Sequence, residues 1–154
     1  MKYILLLLIG LTTHADNFVA RVIYSEAGPS VSAQERYLVA SVIKNRINHN
    51  GFGKKKTMNE IVNVKNAFEC INHNQNQNWK MSGEIEKHLS NKRIKNAWYH
   101  SKTLAKGDFT PQSNVHFFLT KGTKVPNNFV ATKYWKLTKV KTTKHFDFYS
   151  IKAK

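Results

Sequence analysis

The stretch that decides the fold reads VARVIYSEAG, residues 19–28. Its apolar residues recur at the spacing of one helical face: Val19, Val22 and Ile23. Glu26 falls on the same face, one turn later. Residues 28–29 (Gly-Pro) then end the pattern, because glycine commonly terminates a helix and proline cannot continue one. The stretch therefore predicts a helix over residues 16–27 with a carboxyl group at the C-terminal end of its buried face.

Glu26 is unusual because its carboxyl group is expected among buried apolar side chains. Burial disfavours a charge, and the negative end of a helix macrodipole disfavours an anion, so both effects raise the pKa of this group. A carboxyl group that stays protonated near neutral pH can act as a general acid. The alternative is that the helix end frays and Glu26 points to solvent. The pattern leaves both interpretations open.

A second helix is predicted to follow, beginning at Ser32. Ser32 and Glu35 have the spacing of a capping box, in which each residue satisfies a backbone N–H at the helix start. The helix has an apolar face of five residues: Leu38, Val39, Val42, Ile43 and Ile47. Gly51 lies where the C-terminal stop of this helix is expected.

Two polar residues, Asn45 and Arg46, lie close to this apolar face. Arg46 falls within the apolar arc. Either its stem packs while its guanidinium reaches solvent, or it makes buried hydrogen bonds that support a functional cleft. Asn45 lies at the edge of the arc, where its amide either binds a ligand or faces water.

The hydrophobic period changes near Pro111, from the 3.6-residue repeat of helices to the two-residue alternation of strands. Before Pro111 we predict three more helices, over residues 57–64, 82–89 and 92–106. Residues 72–79 are predicted to form a polar surface loop. After it we predict strands over 115–119, over 145–151 and over parts of 130–140. These patterns, without internal repeat or linker, predict one α+β domain with helices first and a small C-terminal antiparallel sheet.

Most of the nine acidic residues have a structural explanation. Glu35 and Glu60 each fill a capping box at a helix start. Asp147 alternates with two phenylalanines and is predicted to face solvent from a strand. Glu69 has no structural assignment, so it is a second candidate for function, with a solvated loop acid as the alternative.

Phe68 and His116 are the remaining candidates. Burial is the usual fate of an aromatic ring such as Phe68, although a flat ring can also form a binding platform. His116 alternates with aromatic residues in a strand-like run, so its ring faces either a cleft or solvent.

Charge and composition limit the classes of function. Lys and Arg number 25 against 9 Asp and Glu, which gives a net charge of +16. Such an excess predicts an acidic partner: nucleic acid, an anionic membrane, or an anionic polymer such as cell wall. The single cysteine excludes an internal disulfide framework and a thiolate-rich metal site. The seven histidines show no close metal-ligand spacing, so neither a metal nor another cofactor is expected.

Residues 1–15 have the pattern of a signal peptide. Lys2 gives a positive start, residues 3–11 form an apolar run, and Ala15 ends the segment with a small residue. Nine apolar residues are too few to cross a roughly 30 Å hydrocarbon core as a helix, which disfavours an uncleaved anchor. We therefore expect export to the periplasm or the extracellular cell wall, with residues 16–154 as the functional domain.

Three blocks of the sequence resemble the SleB-type cell-wall hydrolases: VARVIYSEAG at 19–28, LVASVIKNRI at 38–47 and TMNEIVNVKNAFEC at 57–70. The tail is similar to the same family in NVHFF at 114–118, Trp135 and KHFDFY at 144–149. The resemblance covers about residues 18–150. It implies a compact lysozyme-like domain that acts on peptidoglycan.

The resemblance also implies a reaction and its residues. Glu26 matches the family's acid, which cleaves the bond between N-acetylmuramic acid and N-acetylglucosamine, and family members with an assigned reaction are lytic transglycosylases. The candidate substrate contacts are Tyr24, Asn45, Phe68, Glu69 and His116. The expected partner is a peptidoglycan glycan strand bound by a monomer.

The sequence departs from the family at two sites and in its charge. The family carries a second acid soon after its Glu-Ala, where this chain has Pro29 and Ser30, and the family's Gln-Phe-Ser is Ala67-Phe68-Glu69 here. The second change adds a carboxylate that could handle substrate. The charge of +16 is high for the family, and a small, exported, basic enzyme fits a phage lysis protein as well as a bacterial one.

A non-catalytic function is the competing hypothesis. A secreted basic protein could bind wall or nucleic acid without cleaving anything. No nucleic-acid-binding motif is present, so nucleic acid is not an expected partner. No long cationic amphipathic stretch is present either, so stable membrane insertion is not expected.

Overall fold

The computed structural model describes residues 13–72, 76–125 and 135–153, and the side chains of residues 17–71 within the first range. Within them the chain forms six α-helices: α1 Thr13–Ala27, α2 Ala33–Asn45, α3 Met58–Val62, α4 Glu69–Asn72, α5 Gln77–Gly83 and α6 Lys92–Ala105. Short 3-10 helices cover Asn50–Phe52 and Ile85–His88, and the strands are β1 Phe117–Thr120, β2 Trp135–Thr142 and β3 Phe146–Ala153. Residues 1–12 of the predicted signal peptide and the predicted strand residues 130–134 lie outside the described residues.

Helix α1 lies at the centre of the helical layer and packs against each of the other five helices. It begins at Thr13, three residues before the predicted start. Its buried side chains occupy more than the single predicted face: Val19, Ala20, Val22, Ile23 and Tyr24 are all at most 2% exposed. This wide apolar surface lets one helix contact several neighbours.

Helix α2 has the predicted start but an earlier end. The capping box is confirmed, because Glu35 N–H donates to Ser32 Oγ at 3.1 Å and Ser32 N–H donates to Glu35 Oε2 at 3.2 Å. The predicted stop at Gly51 is wrong, since the helix ends at Asn45 and the chain turns back through Asn48, which has a φ of 58°. Gly51 instead lies under Trp135, where an added Cβ would approach the indole ring to 2.6 Å.

The polar stretch before Trp79 is more ordered than predicted. Helix α5 begins at Gln77, with Asn76 as its N-cap, so the loop prediction is wrong for the end of that stretch. Ser82 does not start a following helix; it lies buried inside α5, where Arg21 Nε donates to its hydroxyl at 3.2 Å. Contacts with α1, which local sequence does not reveal, stabilise this helix. The predicted α3 and α6 are confirmed.

The predicted C-terminal strands form a three-stranded antiparallel sheet in the order β1-β3-β2. The predicted α+β fold is therefore confirmed. A second core joins this sheet to α2 and the end of α1; its buried residues are Ala27, Leu38, Val39, Val42, Val115, Phe146 and Phe148. No helix within the described residues has the length and apolarity to cross a membrane.

Asp147 corrects one prediction. It was expected to face solvent, but it is 2% exposed on the central strand. Its carboxylate accepts hydrogen bonds from Thr142 Oγ1 at 2.6 Å, Lys139 Nζ at 2.9 Å and the Gly122 N–H at 3.3 Å. Alternation along β3 could not reveal this, because both faces of a central strand can be covered by neighbouring chain.

Candidate active site

Glu26 lies one residue before the end of α1, with a half-buried side chain. Its Oε1 accepts a hydrogen bond from the backbone N–H of Cys70, in α4, at 2.8 Å. The Gly28 N–H bonds to the Tyr24 carbonyl at 2.7 Å, so the interpretation of a frayed helix end is wrong. The carboxyl group of Glu26, at the end of α1, is thus held by Cys70 of α4, which lies 44 residues further along the chain.

The electrostatic environment raises the pKa of Glu26. Burial is the largest cause, and the nearby charge of Glu69 acts in the same direction. The bond from Cys70 and the positive charge of Arg46 oppose this rise without cancelling it. The predicted direction is therefore confirmed, although its physical source includes a neighbouring acid that periodicity did not reveal.

Arg46 is buried beside this group, at 4% exposed. Its Nε donates to the His116 carbonyl at 2.9 Å, and its Nη1 donates to the Ala67 carbonyl at 3.4 Å. Three aromatic rings surround its Cζ at 4.8–5.0 Å: Phe52, Phe68 and Phe117. Burial lowers the pKa of Arg46 to about 10, and the charge of Glu26 partly opposes this. The interpretation in which its guanidinium reaches solvent is wrong. The buried hydrogen bonds of the other interpretation are confirmed, and their support of a functional cleft stays a prediction.

Phe68 and Glu69 lie on either side of a boundary between core and surface. Phe68 is 3% exposed and packs against the guanidinium of Arg46. Glu69 is exposed as the first residue of α4, and its charge acts on Glu26. Phe68 therefore adds a buried apolar ring to the candidate site, and Glu69 adds a second acid whose charge acts on Glu26.

His116 lies on the other side of Arg46, just before β1. Its ring is half-buried and lies 5.1 Å from the ring of His49, between centroids. Burial, then the charges of His49 and Arg46, lower the pKa of His116 to about 4, so the ring is neutral at neutral pH. Its Nδ1 is buried without a hydrogen-bond partner among the described residues.

Comparison with known protein families gives one match. The family described as Cell Wall Hydrolase matches residues 31–149, which is most of the chain. The chain belongs to this cell wall hydrolase family. As a cell wall hydrolase it acts on peptidoglycan, in the periplasm or outside the cell. No curated protein and no solved structure was found to match.

The family match covers only some of the candidate site residues of this cell wall hydrolase. Arg46, Phe68, Glu69 and His116 lie within the matched residues, whereas Glu26 lies before them. The family match therefore does not by itself assign a role to Glu26. That assignment depends on the geometry around its carboxyl group and on the sequence resemblance over residues 19–28.

Two other predicted substrate contacts are occupied within the protein. Tyr24 is fully buried; its hydroxyl donates to Met81 Sδ at 3.2 Å and its ring packs edge-on against Trp98. Asn45 Nδ2 donates to the carbonyls of Gln112 and Val115, at 2.7 and 2.8 Å. Their contact with substrate stays a prediction, and for Tyr24 it would require the core to open.

Sequence reasoning missed several residues that build the site. Cys70 contributes its backbone N–H to Glu26, a contact that no side-chain pattern could reveal. His49 joins the rings of His116 and Trp135, at centroid distances of 5.1 and 5.6 Å. No three His, Cys, Asp or Glu side chains in the described part of the chain are grouped as metal ligands.

Proposed function

We propose that this cell wall hydrolase cleaves the bond between N-acetylmuramic acid and N-acetylglucosamine as a SleB-type lytic transglycosylase, with Glu26 as its single acid. One observation carries the proposal. Among the side chains that the structure describes, four carboxyl groups have a clearly shifted pKa, and only that of Glu26 is raised; those of Glu35, Glu60 and Asp147 are lowered. A general acid must hold its proton at the working pH, which favours Glu26 over the other three.

In the first step, Glu26 donates its proton to the glycosidic oxygen as the bond to the muramoyl anomeric carbon breaks. The carboxylate that forms is stabilised by the Cys70 N–H and by the buried cation of Arg46. The substrate's own N-acetyl group stabilises positive charge at the anomeric carbon. The environment of Glu26 thus supports both the protonated and the ionised states of the cycle.

In the second step, the Glu26 carboxylate accepts the proton of the muramoyl 6-hydroxyl, whose oxygen bonds to the anomeric carbon. The product carries a 1,6-anhydro end, and Glu26 regains its starting proton. Hydrolysis would instead need a water molecule and usually a second carboxylate. We favour transglycosylation because it needs one acid, and within the described part of the chain Glu26 is the carboxyl group with a raised pKa.

Mass spectrometry of purified sacculi after incubation with the enzyme tests this proposal. Wild type should release fragments with anhydro-muramic acid ends, and Glu26→Gln should lose at least about a hundredfold of this activity. Glu84→Gln is the matched control, because Glu84 is exposed and forms only a surface ion pair with Lys87. Reducing muramic acid ends would support hydrolysis instead, and Glu69 would then be the second carboxylate to test. A fully active Glu26→Gln variant would refute the proposal.

We also propose that residues 1–15 export the protein and are then removed, and that the mature protein is a monomer. Removal would shorten α1 by its first three residues, Thr13–Ala15, and leave its buried part intact. The intact mass and the solution mass of the exported protein test both points. If Glu26→Gln and wild type bind wall equally and neither cleaves it, the non-catalytic hypothesis is supported instead.

A further inference from the structure

A groove of about 830 Å³ lies beside the turn that follows α1. One wall is the α1–α2 turn, residues 27–31, and the other is formed by residues 120–122 and 144–146, with Asn78 at the side. The Lys121 N–H donates to the His145 carbonyl at 2.8 Å, which ties the two segments of the second wall together. Ala27 and Gly28, which follow Glu26 in the chain, line the groove, so it begins at the end of the helix that carries the proposed catalytic acid.

The groove contains cations and no lining acid among the described residues. Lys121 and Lys144 are both exposed on its second wall. His145 lies between Lys144 and the buried Phe146 in the chain. Ser30 and Asn78 add neutral polar groups. This lining is complementary to an anion that also presents hydrogen-bonding groups.

His145 is fixed in place by a buried carboxylate. Glu35, at 3% exposed, accepts the backbone N–H of His145 at 2.9 Å, and both its oxygens lie 3.0–3.1 Å from His145 Nδ1. The pKa of Glu35 is lowered to about 2: burial opposes the ionised form, but hydrogen bonds from His145, Thr143 and Ser32 outweigh it. Because Glu35 is an anion, Nδ1 carries the proton, and Nε2 is left as a hydrogen-bond acceptor for a group outside this pair.

We propose that this groove binds the peptide stems of peptidoglycan: Lys121 and Lys144 contact the stem carboxylates, and Nε2 of His145 accepts a hydrogen bond from a peptide N–H of the stem. The inference rests on the proposed function, because that function brings a muramic acid residue to Glu26, and the stem peptide is attached to that sugar. A carboxylate-bearing chain that leaves that sugar past the end of α1 would meet Lys121 and Lys144 in the groove.

Binding to sacculi tests the inference, measured in the Glu26→Gln background so that the wall is not consumed. The groove variant is Lys121→Ala with Lys144→Ala. The matched control is Lys92→Ala with Lys95→Ala, which removes the same charge from exposed positions of α6. Three substrates are compared: intact sacculi free of teichoic acid, the same sacculi stripped of stem peptides by an amidase, and sacculi that retain their teichoic acid.

The groove variant should bind intact sacculi about tenfold more weakly than the control variant, and the two should bind stripped glycan equally. His145→Gln keeps the backbone bond to Glu35 and should also weaken binding only to peptide-bearing wall. Equal loss on both substrates, or equal loss in groove and control variants, would overturn the inference. A loss that appears only when teichoic acid is retained would also overturn it, because phosphate would then be the ligand.

The two proposals fail in different ways. If wild type releases no fragments but the groove variant loses peptide-dependent binding, the proposed reaction is refuted and the peptide site stands. If wild type cleaves glycan but the groove variant shows no peptide-dependent loss, the reaction stands and the peptide site is refuted. Thermal unfolding of each variant confirms that binding is compared between folded proteins.

Discussion

Arg46 Nε donates to the backbone carbonyl of His116 at 2.9 Å, which ties the end of α2 to the chain entering β1. Arg46 also donates to the Ala67 carbonyl and lies against the ring of Phe68, two residues before the donor to Glu26. One buried cation therefore contacts both the sheet side and the helix side of the candidate site.

Replacing Arg46 should destabilise the fold. Arg46→Met leaves two buried carbonyls without their donor, and we expect a loss of about 2–4 kcal/mol in the free energy of unfolding. Denaturant unfolding measures it. Arg93→Met, at an exposed position of α6, is the control and should change stability by less than about 0.5 kcal/mol. Equal stability of both variants would show that Arg46 does not join the two sides.

Removing the charge of Glu69 should shift the pH dependence of activity. That charge helps to raise the pKa of Glu26, so Glu69→Gln lowers this pKa. A general acid is lost when it ionises, and activity therefore falls at a lower pH in the variant than in wild type. The profile of kcat/KM against pH measures the shift, with a severalfold loss expected on the alkaline limb. Glu84→Gln should leave the limb in place; an unmoved limb in Glu69→Gln would contradict the assignment of Glu26 as the acid.

Glu26→Gln should make the protein more stable at neutral pH. The folded-state pKa of Glu26 lies above its ordinary value, so the folded state holds this proton to higher pH than the unfolded state does. The free energy of unfolding therefore falls as pH rises from the ordinary pKa of a glutamate through the raised pKa of Glu26. A neutral glutamine avoids this loss, and its amide oxygen still accepts the hydrogen bond from the Cys70 N–H. We expect a rise in Tm of about 2–4 °C at pH 7, equivalent to about 1 kcal/mol. The gain should disappear at pH 3, where wild type is also protonated.

Asp147 should stabilise the fold with the opposite pH dependence. Hydrogen bonds from Thr142 and Lys139 lower its pKa to about 2, although burial opposes this. Its contribution is present above the ordinary pKa of an aspartate and is lost as pH falls towards 2. Asp147→Asn should therefore lower the Tm by several degrees at pH 7 and by progressively less below pH 4. The exposed Asp108→Asn serves as the control, and a constant difference across this range in Asp147→Asn would be the contrary result.

The sequence predicted features that depend on local chain chemistry. Both capping boxes form as expected, because Ser32 and Thr57 each lie three residues before their glutamate. The strand-like runs pair as an antiparallel sheet, and Glu26 lies at the end of its helix with a raised pKa. These features depend on spacing along the chain, which periodicity measures directly.

Features that depend on distant partners could not be predicted in this way. Asp147 is buried because β2 and Gly122 supply its donors, and α5 forms where Ser82 meets Arg21 of α1. Glu35 was explained fully by its capping box, yet it also binds His145, 110 residues away. In each case a local explanation was sufficient, so the sequence held no signal for the second role.

The 2.8 Å hydrogen bond to Glu26 comes from a peptide N–H, that of Cys70. Every amino acid except proline supplies this N–H, but the side chain of residue 70 is 1% exposed in the helical core, so the space there also limits the choice. A mutational scan at this position should therefore favour small side chains such as alanine over proline, which removes the donor, and over large side chains, which overfill the core.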